Sequence, residues 1–184
     1  LRARAILENR AFRMAVPDRE WDAMAATLTT VYFLDGEDKL ALKWSAKPAR
    51  RSQDATGLWF RGLAFWRQGK YKEAGINFGK LGAKSDNDEW LIAAGAYWAY
   101  RAYDKIGDAR QAKKYLNMAS KYRRTFYGIL ANYQLGNPLK YNWDSLAYLN
   151  DFSNYFICRS CIIKFSFRLC EEFLLNVYFV HCLC

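Results

Sequence analysis

Neither cysteine nor histidine occurs in the first 150 residues of this 184-residue chain; all five cysteines and the one histidine follow Asp151. Thiol and imidazole chemistry is thereby excluded from the larger part of the molecule. Proline is scarce, at three residues, and with eleven glycines the composition is not that of a disordered chain. No apolar run reaches the roughly 20 residues a transmembrane helix needs, so no transmembrane span is expected. Leu1–Arg2–Ala3–Arg4 leads into Ile6, Leu7 and Glu8 without the apolar stretch of a signal peptide. A glycine-rich phosphate loop, a zinc finger and a continuous basic helix are also missing, which removes the usual signals for nucleotides and nucleic acid.

Aromatic residues, at 17%, are abundant enough to imply a densely packed core. Charge is uneven: residues 1–150 hold 25 Lys and Arg against 15 Asp and Glu, a net +10, whereas residues 151–184 hold three of each. The cations are spread among acids at nearly even spacing, the pattern of a solvated helical surface. Arg61, Arg67, Arg101, Arg123 and Arg124 are read as residues of that face. The chain accordingly divides into a domain over 1–150 and an atypical Cys- and Phe-rich tail over 151–184.

Periodicity makes the first domain all-α. Residues 1–34 read as helix, with a start at Pro17–Asp18 and with Trp21, Met24, Ala25 and Leu28 on one face. Asp35–Gly36–Glu37–Asp38 breaks the pattern, and a short helix is expected to end at Lys47–Pro48. Two longer units follow, over 57–81 and 90–116. They align at a constant offset of 38 residues, Ala64, Gly69, Ala74 and Phe78 falling on Ala102, Gly107, Ala112 and Leu116. Small residues let antiparallel helices approach, and glycine supplies the turn. A third hairpin is expected to begin at Ala119 and stop at Gly136–Asn137–Pro138. The expected fold is a curved stack of antiparallel helical hairpins, a TPR-like superhelix or α-solenoid fragment.

Ala96–Tyr97–Trp98–Ala99–Tyr100–Arg101–Ala102, Gly107–Asp108, Ala112 and above all Thr125–Phe126–Tyr127–Gly128–Ile129–Leu130–Ala131 resemble the soluble lytic murein transglycosylases. The resemblance is to the end of that family's helical superhelix and the linker before its lysozyme-like domain. It implies a bacterial periplasmic or cell-envelope setting and a non-catalytic scaffold that positions peptidoglycan glycan strands. The family's catalytic glutamate lies in a Glu–Ser motif that this sequence lacks. Glu171 and Glu172, the only glutamates after Tyr141, have neither that serine nor room for the pocket a general acid needs. No catalytic residue, cofactor or metal is therefore assigned. Within the scaffold Trp59, Tyr100, Arg101 and Tyr127 are the candidates for glycan contact, while Trp66, Trp98 and Phe126 are expected to fill space between helices. The alternatives are a helical-repeat module that binds a protein partner and, after it, an active peptidoglycan lytic transglycosylase cleaving the MurNAc–GlcNAc bond.

In the tail, Cys158 and Cys161 have zinc-type spacing, but Cys170, His181, Cys182 and Cys184 do not repeat it. Five cysteines also leave one unpaired in any disulfide framework. The tail reads best as translation past a frameshift or truncation in place of a catalytic domain.

Overall fold

In a computed structural model, residues 2–137 are described, and every one of them that lies in regular structure is helical. Among the described residues nine helices follow one another: α1 (Arg2–Glu8), α2 (Arg10–Ala15), α3 (Asp18–Leu34), α4 (Asp38–Arg50), α5 (Ala55–Arg67), α6 (Tyr71–Ala83), α7 (Glu89–Lys105), α8 (Ala109–Ala119) and α9 (Phe126–Gln134). Pro138, Glu171, Glu172, His181 and the tail cysteines lie outside the described residues.

The starts of α5, α7, α8 and α9 are set by side chains that accept from otherwise orphaned N–H groups. Asp54 accepts from Gly57, Asp88 from Leu91, Asp108 from Gln111 and Thr125 from Gly128, at 2.8 to 3.0 Å. Helix ends repeat one motif. Gly36, Gly69, Gly107 and Gly136 all have φ between 69° and 82°. The N–H after each glycine reaches back five residues: Glu37 to Tyr32, Lys70 to Phe65, Asp108 to Tyr103 and Asn137 to Asn132. That is the Schellman arrangement, which satisfies carbonyls the helix leaves open. The first three of these turns join α3 to α4, α5 to α6 and α7 to α8.

From α3 to α9 consecutive helices pack on one another, and α3 also meets α5 as α7 meets α9. Three of the four paired positions of the repeat are buried, Ala64 with Ala102, Ala74 with Ala112 and Phe78 with Leu116, while the turn glycines Gly69 and Gly107 are both exposed. The α6–α7 crossing is the tightest. A Cβ on Gly95 would lie 2.6 Å from the Gly82 amide nitrogen, and one on Gly82 would lie 2.7 Å from that of Ala96. On α6, Gly75 and Gly79 leave the space that Tyr103 and Tyr115 occupy with their rings parallel at 5.5 Å.

Several expected details differ. The first helix is three, broken at Asn9 and at Val16–Pro17, where proline cannot donate to a continuing helix. Met24 is exposed and lies off the buried face carrying Trp21, Ala25 and Leu28. Helix α4 runs past Pro48 to Arg50. So close to the helix end the proline removes a single hydrogen bond, and its ring is buried where α4 meets Gly57 of α5. The third hairpin does not begin at Ala119, which ends α8; Thr125 caps α9 instead.

Candidate functional site

The four residues selected for glycan contact come from three helices: Trp59 from α5, Tyr100 and Arg101 from α7, and Tyr127 from α9. All four are partly buried. Their spacing along the chain gives no hint of proximity, yet one residue, Trp98, connects most of them. Its ring packs edge-on to Trp59 at 6.2 Å, its Nε1 donates to Tyr127 Oη at 3.2 Å, and the Arg101 guanidinium lies 4.7 Å from its centre. Tyr97 completes the group, at 5.6 Å from both Tyr100 and Tyr127.

Trp98 is itself buried, as is Trp66, whose ring meets Trp98 at 5.2 Å and also lies under Arg101. These two tryptophans fill space between helices as expected. Phe126 does not; it is 42% exposed at the start of α9, edge-on to Tyr127. The site is thus a layer of half-buried aromatic edges over a buried tryptophan floor, with one cation stacked on it. Such a layer offers apolar faces and a few convergent polar atoms, the composition of a surface that holds a flat, hydroxylated ligand. Arg101 over two indoles is fixed in place by cation–π attraction and leaves guanidinium donors for hydroxyl or carboxylate oxygens. Burial and the nearby Asp104 carboxylate push the Tyr100 hydroxyl above its ordinary pKa, so it stays a neutral donor through physiological pH.

The arginines read as solvated-face residues have specific partners. Arg67 chelates Asp38 and donates to the Phe33 carbonyl at 2.9 Å. Arg61 donates to the Leu42 carbonyl at 2.6 Å and to Ser45 Oγ at 3.2 Å. Periodicity could not reveal either, because the partners belong to the preceding hairpin. The carboxylates have structural roles too. Asp54, Asp88 and Asp108 are helix caps, Asp22 is buried against Arg51, and Asp86 pairs with Lys84. Among the described residues no three metal-ligating side chains converge.

No protein-family model matches the chain, and no curated protein or solved structure matches it.

Proposed function

We propose that residues 1–150 are the non-catalytic superhelical part of a peptidoglycan lytic transglycosylase-like protein, a TPR-like curved stack acting in the bacterial periplasm or cell envelope. In this reading the layer of Trp59, Tyr100, Arg101 and Tyr127 contacts glycan strands. The observation that carries it is the meeting of those four residues around Trp98 and Tyr97, although they are drawn from three helices. The resemblance over Thr125–Ala131 gives the direction, and its spacing has a physical basis. Thr125 Oγ1 caps α9 through the Gly128 N–H, and a Cβ at residue 128 would collide with the Tyr122 carbonyl.

Sedimentation with purified peptidoglycan sacculi tests the proposal. The chain is expected to pellet with sacculi, and Arg101→Ala together with Tyr127→Ala should reduce the bound fraction by about tenfold at constant protein. Wild-type protein left in the supernatant, or an unchanged pellet for the double variant, overturns it.

A further inference from the structure

Two open grooves lie away from the aromatic layer, on either side of Ala46 and Lys47 of α4. One, of about 530 Å³, is walled by α4, α5 and α6 and carries Lys47, Arg50, Arg61 and Lys80 against a single acid, Glu73. Its apolar lining includes Phe65 and Ile76. The other, of about 440 Å³, carries Arg10, Arg13, Lys43 and Lys47 against Glu8, with Met14, Trp21 and Trp44 between them. Because both grooves include Ala46 and Lys47, together they make one strip in which cations alternate with apolar surface.

Most of these cations are not neutralised from within. Elsewhere Arg51, Arg67 and Lys84 each hold a carboxylate, but among the described residues Lys43, Lys47, Arg50, Arg61 and Lys80 have none within 4.0 Å. Arg61 is the anchor. Its guanidinium is held by two neutral acceptors and by the Phe65 ring at 4.9 Å, so it brings a half-buried positive charge to the groove without a counter-ion. Burial lowers its pKa below the ordinary guanidinium value, the sign of a cation that would gain from an incoming anion.

The geometry points to this strip as the docking site for an acidic, amphipathic peptide segment of a protein partner, its carboxylates on Arg61, Arg50, Lys47 and Lys80 and its apolar side chains against Phe65 and Ile76. A peptide fits better than a nucleic acid because the cations are interleaved with aliphatic and aromatic surface rather than aligned as a continuous phosphate track. Glu73 within the groove would also repel a phosphodiester chain while leaving room for spaced carboxylates. This inference does not rest on the glycan reading; it gives a chemistry to the protein-partner alternative.

The test uses the full chain and a fluorescein-labelled peptide of alternating Glu and Leu, read by anisotropy. Binding is expected, and the same peptide with Gln for Glu should bind at least about tenfold more weakly. Arg50→Glu with Lys80→Glu, both exposed, should weaken the Glu peptide by about tenfold or more, whereas Lys105→Glu with Lys121→Glu, also exposed but outside both grooves, should change it by less than about twofold. The proposal is overturned if the Glu peptide fails to bind, if both double variants lose affinity equally, or if an oligothymidylate of matched charge binds more tightly. Sacculus binding is expected to survive the Arg50→Glu, Lys80→Glu change, so failure of either proposal is visible separately.

Discussion

Helices α3 and α4 add several charge pairs to their share of the hydrophobic core, whereas α6, α7 and α8 meet where side chains have been left out. In the first region Arg51 bridges Asp18 and the buried Asp22, Arg67 reaches back to Asp38, and Arg13 and Lys47 both lie over the Trp21 ring. In the second, glycines at 82 and 95 bring two backbones together, and glycines at 75 and 79 admit a stacked tyrosine pair. The same Schellman turn closes the hairpins of both regions. A shared turn therefore fixes chain reversal, while the means of holding successive helices together is free to vary.

The largest effect is expected at the glycine crossing. Gly82→Val should destabilise the protein by about 3 kcal/mol, read from the urea midpoint at constant slope, because the new Cβ meets backbone that cannot move aside. A loss below about 1 kcal/mol would mean that the crossing is looser than described.

Asp22→Ala should cost less, about 2 kcal/mol. It strips Arg51 of its buried partner but leaves the guanidinium, with a third of its side chain exposed, able to reach water and Asp18. Sodium chloride sharpens the contrast: raising it should weaken the first region and leave the Gly82–Gly95 contact unaffected.

Turn substitutions should be smaller and alike in both regions. A Cβ at Gly36, Gly69 or Gly107 meets nothing within 4 Å, so only the left-handed backbone is penalised. Each change to alanine should cost about 1 kcal/mol, and the Gly36 and Gly107 variants should add. Non-additive losses would contradict the view that the turns are independent copies.

The smallest effects separate the regions by pH. The Arg13 hydrogen bond, aided by Arg51, holds the exposed Asp18 carboxyl below its ordinary 3.8. A depressed carboxyl pKa contributes stability that is complete above the unfolded value and is lost as pH falls through the folded one, so the α2–α3–α4 junction should loosen first in acid. Burial raises the Tyr103 and Tyr115 hydroxyls above 10.0. Their contribution is complete below that value and disappears as pH rises through the folded one, so the α6–α8 packing should loosen first in alkali. Hydrogen exchange at the two ends of the pH range reads both; simultaneous loosening of the two regions would remove the distinction.

The repeat was legible in the sequence where its spacing held. Gly69 and Gly107 lie 38 residues apart with matching small and bulky neighbours, and the structure buries those matched neighbours while both glycines make the same exposed turn. The Gly36 turn was legible only as a break, because it precedes Gly69 by 33 residues and is flanked by exposed acids. Phe126 was misplaced for a different reason: aromatic character at a helix start does not reveal whether a neighbouring helix covers it. The candidate site was half legible. Its residue types could be chosen from the sequence, but the Trp98–Tyr127 hydrogen bond that unites them spans 29 positions and depends on how α7 meets α9. Arg61 could not be identified at all, since its role depends on a carbonyl and a hydroxyl in the preceding hairpin.

Indole N–H resonances of the tryptophans, followed by NMR while peptidoglycan glycan strands are titrated into the full chain, test the central claim most directly. Trp98, which donates to Tyr127 within the aromatic layer, and Trp59 beside it should shift in a saturable manner, while Trp44, on the basic strip, should remain in place. Unmoved Trp59 and Trp98 signals, or an equal shift at Trp44, would contradict the assignment of the aromatic layer as the surface that meets glycan.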